Sequence, residues 1–284
     1  MAPKFMDDLV KKLREKGLAE SSIDAYIRNL RTLNGSCDFR TLGFLTKTQT
    51  IEDMLSTYAE STKRSMLGSI VSILAFVKDS PHYRKSYAYY HGRMAEEMEK
   101  SKSRDTGEKT DKQKQNWVSW EDVLTTAERL RSEKRHLDAL VLSLYTDIPP
   151  RRNKDFFEMW VSDGDTTDKT RNYCVVKDGD PDHFVFHTYK TAKEYGTQTI
   201  DIPRRLAATM RDHGIRVGEK LLPFQNENGI TRTLNRIFGK KIGASMLRHI
   251  YLSSKYGGRR DEMAADARMM GHSIQQQQTT YTQR

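Results

Sequence analysis

The segment LDALVLSLYTDIPPRR, residues 137–152, decides the fold of the second half of the chain. Its large apolar residues recur at helical spacing, which predicts a strongly apolar helix. Pro149 and Pro150 end that helix and set the backbone for the next one. Arg152 is therefore expected near a helix N-terminus, where amides and the helix dipole favour an anion. Taken alone, Arg151 and Arg152 are better explained as ordinary solvated charges at a helix start, and only the later motifs favour a functional role. The apolar residues of this pattern are Leu137, Leu140, Val141, Leu144 and Tyr145.

The composition indicates a two-domain protein with a polyanionic partner. The chain has 284 residues, of which 36% are hydrophobic, so it is long enough to bury a core in each of two domains. Lys and Arg number 48 against 38 Asp and Glu, which gives a formal net charge of +10. Such a charge favours nucleic acid as a partner, although many basic enzymes have no such partner.

The cysteines and the N-terminal residues indicate an intracellular protein. Cys37 and Cys174 are far apart and lack CxxC or Cys/His spacing, so neither a disulfide framework nor a zinc site is suggested. The first residues, MAPKFMDD, lack the apolar region of a signal peptide, and no uncharged stretch approaches membrane-spanning length. We expect no secretion signal and no membrane anchor.

A polar segment divides the chain in two. Residues 99–115, EKSKSRDTGEKTDKQKQ, contain no apolar side chain and are expected to form an exposed, mobile connection. Before it, residues 1–98 show helical apolar spacing and predict a compact four-helix unit. Ser21 or Ser22 is expected to cap the second helix of this unit, and Ser61 the fourth.

The second domain, residues 116–284, is predicted to mix helices with a small sheet. It begins with Ser119 and Asp122, which resemble an acidic capping box. Between Asn172 and Pro203 the apolar period changes to two, with strands expected at residues 173–176, 184–189 and 197–202 and a turn at Asp178-Gly179. We predict a mainly α protein with a small, three-stranded antiparallel β-sheet, an α+β fold.

Two segments of the second domain present further polar side chains that could act on a phosphate. Lys190 is predicted to end the second strand, where its ammonium group could act as a general acid, with Lys193 as the nearby alternative. Lysines at such turns usually only improve solubility. Ser245 and Arg248 lie one helical turn apart and are expected on one side of a helix.

The C-terminal segment places a histidine and a tyrosine in a similar context. Gly271 is expected to stop a helix, His272 follows it, and Ser273 can cap a last helix that carries Tyr281. A tyrosine hydroxyl can attack phosphorus when basic side chains neutralise the transition state. Taken alone, a tyrosine near the end of a chain usually serves packing.

Taken in order, these segments resemble the tyrosine recombinase/integrase family, whose catalytic residues run Arg, Lys, His-x-x-Arg, His or Trp, and Tyr. The resemblance covers nearly the whole chain. Residues 17–26, GLAESSIDAY, are similar to the opening of the family's helical core-binding domain. The polar segment at 99–115 lies where the two family domains join. The resemblance therefore implies a core-binding domain at residues 1–98 and a catalytic domain at 116–284.

The resemblance also selects among neighbouring candidates. The family's first arginine is followed three residues later by an acid, which favours Arg152, with Asp155, over Arg151. The family's lysine is often followed by Thr or Gly, which favours Lys190 over Lys193. The segment MGHS, residues 270–273, resembles the stretch ahead of the family's nucleophile, and the nine-residue step from His272 to Tyr281 is the family's usual spacing.

One position departs from the family pattern. The usual His-x-x-Arg is here Ser245-Met246-Leu247-Arg248, so a hydroxyl replaces the first histidine. A serine can hydrogen-bond a phosphate oxygen but cannot relay a proton near neutral pH. His249 is no simple substitute, because one step along a helix turns a side chain by about 100°. We hypothesise that Ser245 positions the phosphate and that His272 bears more of the acid-base work.

The family resemblance implies a specific DNA-cutting mechanism. Tyr281 would attack a phosphodiester of double-stranded DNA and leave a 3′-phosphotyrosyl bond. Arg152 and Arg248 would hold the non-bridging oxygens, Lys190 would protonate the 5′ oxygen and His272 would assist. No metal, nucleotide or other cofactor is required. In the family, four protomers usually join two duplexes, so a homotetramer on synapsed DNA is expected.

Two other functions remain open from the sequence. A type IB topoisomerase uses nearly the same residues but reseals the same strand and relaxes supercoils. A DNA-binding protein that keeps the fold without cutting is the second alternative, and the replacement at Ser245 makes it conceivable. Recombinant joints, relaxation alone, or the absence of any covalent protein–DNA adduct would distinguish the three.

Overall fold

The computed structural model of this chain describes residues 3–103 and 109–269. The chain forms two compact units, Met1–Glu108 and Lys109–Arg284. Both units are mainly helical, and the second also contains a small sheet. The broad α+β class predicted from the sequence is thus confirmed, whereas the sheet differs from the predicted one.

The first unit contains one more helix than the sequence predicted. Residues 3–103 form five α-helices, and the missed one is the last, because its buried stripe consists of tyrosines and a methionine rather than aliphatic residues. Tyr90 in this stripe is fully buried, and its hydroxyl donates to the Leu45 carbonyl oxygen at 3.0 Å. The elements are α1 (Pro3–Glu15), α2 (Glu20–Leu33), a 3-10 helix (Gly43–Thr46), α3 (Thr48–Ser56), α4 (Glu60–Leu74) and α5 (Pro81–Ser103).

The starts of two helices in this unit differ from the predicted ones. The N-cap positions of α2 and α4 are Ala19 and Ala59, neither of which makes a side-chain capping bond. The predicted caps Ser21, Ser22 and Ser61 therefore lie inside the first turn. Each helix instead has a glutamate in that turn, where a negative charge is favourable beside the helix dipole.

Helices extend into both ends of the polar segment 99–115. Helix α5 continues to Ser103, and α6 (Asp111–Asn116) begins behind Thr110. Thr110 and Gln113 form a reciprocal capping box, in which each side chain accepts the other residue's backbone N–H. Residues 104–108 lie outside the described ranges, and the boundaries 1–98 and 116–284 stay predictions.

The second unit is built around a helix that is buried along most of its length. Residues 138–145 of α8 are all buried, and α8 packs against α7, α11 and α12. The predicted capping box at Ser119 and Asp122 is confirmed at the start of α7. The helices after α6 are α7 (Trp120–Ser132), α8 (His136–Thr146), α9 (Asn153–Phe157), α10 (Ala192–Tyr195), α11 (Arg204–His213), α12 (Asn228–Phe238) and α13 (Ala244–Met269).

One charged side chain lies in the buried helix α8, and it is paired on two sides. The Asp138 carboxylate accepts bonds from Arg236 at 2.6 and 2.9 Å and from Arg135 at 3.0 Å. Burial acts to raise the pKa of Asp138, but the two guanidinium groups outweigh it, so the pKa is lowered. The pairing ties the first turn of α8 to α12.

The sheet has four strands and is mixed, so the prediction of a three-stranded antiparallel sheet is wrong. The strands are β1 (Met159–Ser162), β2 (Asn172–Lys177), β3 (Asp180–Phe186) and β4 (Gln198–Asp201), hydrogen-bonded in chain order. β1 pairs with β2 in parallel, whereas β2–β3 and β3–β4 are antiparallel. β1 was missed because four residues are too few to show a period of two.

The predicted turn between β2 and β3 is confirmed. Asp178 and Gly179 have φ angles of 52° and 86°. Two consecutive positive φ values match the turn that joins twisted antiparallel strands in a two-residue connection. The inner face of the sheet contributes Cys174, Phe184 and Phe186 to the main core, and the two phenylalanine rings contact Phe156 of α9.

The capping box of α7 provides a test of the second unit's local stability. Replacing Ser119 with Ala should lower the free energy of unfolding by about 1 kcal/mol, because the N–H of Asp122 loses its acceptor. Urea unfolding followed by tryptophan fluorescence measures this unit alone, since the three tryptophans are Trp117, Trp120 and Trp160. Ser119→Asp, which keeps a capping oxygen, should unfold within a few tenths of a kcal/mol of wild type. An equal loss in both variants would contradict the capping role.

Candidate functional site

The chain turns sharply between α8 and α9, and this turn presents two adjacent arginines. Helix α8 ends at Thr146, and Pro149-Pro150 separate it from α9. Arg152 is the N-cap residue of α9 with φ −81° and ψ 152°, which confirms its predicted place at a helix N-terminus. Both Arg151 and Arg152 are partly buried.

Arg151 is held on every side by neighbouring groups. Its Nε donates to Asp155 Oδ2 at 3.0 Å and its Nη1 to Gln198 Oε1 at 2.9 Å. The guanidinium carbon lies 3.9 Å from the centre of the Phe186 ring and 5.1 Å from that of Tyr189. An arginine stacked on rings and paired with a carboxylate is fixed in orientation. We conclude that Arg151 supports the site rather than binding a ligand in it.

The acid that the sequence pattern linked to Arg152 pairs with the side chain of Arg151. Asp155 is the third residue of α9, and its side chain is 4% exposed. It bonds the guanidinium of Arg151 but only the backbone N–H of Arg152. Burial raises the pKa of Asp155, and the Arg151 charge and the Arg152 N–H oppose that rise only in part.

Arg152 and Arg248 come together although 96 positions separate them in the sequence. They line one open cavity of about 220 Å³, which Pro150, Arg151, Asp155, Tyr189, Thr191, Tyr195 and Gln198 also line. Arg248 lies in the second turn of α13, and the neighbouring Leu247 and Ile250 anchor that helix in the core. Arg248 is partly buried, as Arg152 is.

The two guanidinium groups are free to bind an anion. Among residues 3–103 and 109–269, no side-chain hydrogen bond or ion pair is made by Arg152 or Arg248. The carboxylate near Arg152 is Asp155, which already pairs directly with Arg151, so an anion between Arg152 and Arg248 would give both guanidinium groups a direct partner. The geometry therefore fits an oxyanion such as a phosphate.

A hydrogen-bonded chain fixes the helix that Arg152 begins. The hydroxyl of the buried Tyr145 on α8 donates to Asn153 Oδ1 at 2.8 Å. The Asn153 amide then donates to Thr231 Oγ1 on α12 at 2.9 Å. Thr231 lies near Gly243, the residue before α13: a Cβ atom added at Gly243 would be 3.6 Å from Thr231 Cγ2. The hydrogen bonds themselves join α8, α9 and α12.

Lys190 lies beside the cavity, and its local structure differs from the prediction. It was expected to end a strand, but β3 ends at Phe186, and Lys190 is an exposed residue in the turn before α10. The strand stops early because the Asn172 side chain, rather than a neighbouring strand, accepts the N–H groups of His187 and Thr188. The residues on both sides of Lys190 line the cavity, whereas Lys190 itself does not.

Ser245 is placed on α13 one turn before Arg248, as the helical spacing predicted. Its side chain is exposed and does not line the cavity. His249 is also exposed and does not line it. The remaining predicted site residues, His272 and Tyr281, lie outside the described residues.

The sequence analysis missed part of the site's surroundings. Tyr189, Tyr195 and Gln198 line the cavity but carry no motif. Arg151 and Asp155 could have been paired from their i, i+4 spacing at the start of a helix. Tyr195 is 62% exposed, which is a large exposed fraction for an aromatic residue beside two unpaired arginines.

The described residues carry neither a metal-type cluster nor a membrane-spanning helix. In residues 3–103 and 109–269, no group of three or more His, Cys, Asp or Glu side chains is arranged to hold a metal ion. Within the same ranges, no helix combines the length and the apolar character that a membrane span requires.

The Arg151–Asp155 pair predicts a pH-dependent loss of stability. Replacing Arg151 with Ala should destabilise the second unit by about 3 kcal/mol at pH 7, because the buried Asp155 carboxylate loses its counter-charge. The pKa of Asp155 is already raised by burial and would rise further, so the loss should shrink as the pH falls and Asp155 becomes protonated. Urea titrations at pH 7 and pH 5 measure the difference.

Two variants control for this interpretation. In Arg151→Ala/Asp155→Asn the buried charge is absent, so the double variant should be more stable at pH 7 than Arg151→Ala. Arg129→Ala removes an exposed ion pair with Glu133 and should cost less than about 1 kcal/mol at either pH. A loss for Arg151→Ala that does not depend on pH would contradict the buried-charge explanation.

Comparison of the chain with protein-family models, with curated proteins and with solved structures finds no match in any of the three. The resemblance to tyrosine recombinases therefore stays a prediction from the residues quoted above. The geometry of Arg152 and Arg248 is a separate observation that does not depend on that resemblance.

Proposed function

We propose that this protein is a site-specific DNA recombinase that cleaves and rejoins strands through a 3′-phosphotyrosyl intermediate. The observation that carries the proposal is that Arg152 and Arg248 line one cavity and that neither guanidinium group bonds another side chain within residues 3–103 and 109–269. The net charge of +10 supports a polyanionic partner, here double-stranded DNA. Lys190, next to two lining residues, supplies a third cation nearby.

The chemistry assigned to the site is a transesterification at phosphorus. The Tyr281 oxygen forms a bond to the phosphorus while the bond from phosphorus to the 5′ oxygen breaks. The phenol proton passes to His272 or to solvent, and the leaving 5′ oxygen receives a proton from the Lys190 ammonium. Arg152 and Arg248 stabilise the charge that develops on the non-bridging oxygens. The bond energy is kept in the phosphotyrosine, so the reaction needs no cofactor.

Arg151 has a supporting part in this proposal. Because it is paired with Asp155 and stacked on Phe186, it keeps a positive charge near the phosphate without moving towards it. Lys190 is exposed, and its side chain must turn towards the cavity when DNA is bound. Ser245 is exposed and does not line the cavity, so its role in positioning the phosphate stays a hypothesis.

Covalent capture tests the proposal directly. The purified protein is mixed with supercoiled plasmid and with random-sequence duplexes, denatured in detergent and analysed for protein–DNA adducts. Wild type should form adducts, and Tyr281→Phe should form none. Arg152→Ala and Arg248→Ala should each slow adduct formation by about 10²-fold or more, because each removes a donor to the transition state.

Matched variants and products complete this test. Arg216→Ala, at a side chain that is 78% exposed, should cleave as wild type does. Recombinant joints would support a recombinase assembled as a tetramer on two duplexes, and relaxation alone would indicate a type IB topoisomerase. Tight binding without any adduct would reject strand cleavage, leave a non-cutting DNA-binding protein and focus attention on Ser245.

The salt dependence of DNA binding tests whether the two arginines hold one phosphate. The logarithm of the affinity should fall linearly with the logarithm of the salt concentration, with a slope of about −0.9 for each neutralised phosphate. If Arg152 and Arg248 share a phosphate, Arg152→Ala/Arg248→Ala should flatten the slope by about 0.9. A flattening of about 1.8 would mean that they contact two phosphates.

A further inference from the structure

A buried asparagine connects the two sides of the candidate site. Asn172 is the first residue of β2, and it is completely buried. A buried amide is unfavourable unless its polar atoms are bonded. The side chain of Asn172 meets this requirement with five hydrogen bonds, and the partners of these bonds define its role.

The amide oxygen of Asn172 binds the chain just after β3. It accepts the backbone N–H of His187 at 2.9 Å, the backbone N–H of Thr188 at 2.8 Å and the Thr188 hydroxyl at 3.2 Å. These donors have no partner in the sheet, because β2 begins at Asn172, opposite Phe186. Asn172 thus ends the strand and sets the direction in which the chain continues towards Lys190.

The amide nitrogen of Asn172 links the same segment to the helix of Arg152. It donates to the Thr188 carbonyl oxygen at 2.9 Å and to the Asp155 carbonyl oxygen at 3.0 Å. Asp155 belongs to α9, which begins directly after Arg152, and Thr188 precedes Lys190 by two residues. Two residues span at most about 7 Å, so the backbone of Lys190 lies within about 7 Å of the backbone of Thr188, which Asn172 holds.

The far side of the same segment is closed by separate bonds. The Tyr189 hydroxyl donates to the Gly196 carbonyl oxygen at 2.7 Å, and His187 Nδ1 is hydrogen-bonded to Thr197 Oγ1 at 2.9 Å. These two bonds join the residues before Lys190 to the residues after it. The hydrogen bonds of Asn172 to Thr188 and Asp155 then join this turn to α9, which begins directly after Arg152.

We propose that Asn172 is a positioning residue, which determines where the Lys190 ammonium meets the phosphate held by Arg152 and Arg248. This inference rests on the proposed function. When the bond from phosphorus to the 5′ oxygen breaks, Lys190 gives that oxygen a proton and becomes a neutral amine. Without the link through Asn172, the turn is tied to the start of α9, among the described residues, only by the Arg151 contacts with Tyr189 and Gln198, and proton delivery slows.

A pair of DNA substrates separates positioning of Lys190 from general damage to the fold. After covalent capture has mapped a cleavage site, the scissile phosphate is made with a 5′ bridging oxygen or a 5′ bridging sulfur. A thiolate leaves without protonation, because thiols are far more acidic than alcohols. Cleavage of the sulfur substrate thus does not need a general acid.

Asn172→Ala should be slow on one substrate only. It should cleave the oxygen substrate about 10²-fold more slowly than wild type, and the sulfur substrate within about threefold of wild type. Lys190→Ala should show the same contrast. Arg152→Ala should be slow on both substrates, because it acts on the non-bridging oxygens.

Asn116→Ala is the matched control for losing a buried amide. Asn116 is also buried in the second unit, where it accepts the Lys241 N–H at 2.8 Å and donates to the Lys112 carbonyl oxygen at 2.9 Å. Any slowing in this variant should be equal for oxygen and sulfur. The ratio of the two rates therefore reports the positioning of Lys190 and not the stability of the unit.

The outcomes decide between the two proposals. If wild type cleaves and Asn172→Ala is equally slow on both substrates, or unaffected on both, the positioning role is wrong while the proposed function stands. If wild type cleaves neither substrate, the proposed function itself fails. Should Asn172→Ala lack a cooperative unfolding transition, the near-isosteric Asn172→Asp decides, since it removes both amide donations and should show the same contrast, at about tenfold.

Discussion

Burial of α8 on every side is the constraint on which the rest of the second unit depends. Residues 138–145 have no solvent-facing side, so α7, α11 and α12 must surround them, and the one acid among them must be paired. Pro149-Pro150 prevent the helix from continuing, so the chain changes direction directly after α8. The two arginines are consequently presented at the edge of a rigid core rather than on a free loop.

The two adjacent arginines that follow Pro149-Pro150 have different surroundings and therefore different roles. Arg151 faces the sheet, where Asp155, Gln198 and two aromatic rings hold it, whereas Arg152 faces the cavity with no such partner in the described ranges. The family pattern favoured Arg152 because of Asp155. In the structure the Asp155 side chain bonds the guanidinium of Arg151, whereas it bonds only the backbone N–H of Arg152, so the Arg152 guanidinium stays available to a ligand.

Much of the helical structure could be predicted, and particular parts could not. The period of α8, the capping box of α7 and the location of Ser245 and Arg248 on one helix are local properties, and each is confirmed. α5 was missed because its buried face consists mainly of tyrosines rather than aliphatic residues, and β1 was missed because it is only four residues long. The strand expected to reach Lys190 stops early, since the His187 N–H bonds the Asn172 side chain instead of a neighbouring strand. Asn172 lies 15 residues from His187 in the sequence.

The sequence by itself determined the helical periodicity, the turn at Asp178-Gly179, the basic charge and the ordered set of candidate residues, because each of these depends on neighbouring residues or on composition. Tertiary structure alone decided that Arg152 and Arg248 share a cavity, that Arg151 is already paired, and that Asn172 joins the turn of Lys190 to α9. These relations link residues far apart in the chain, and only the packing of the second unit brings them to one place.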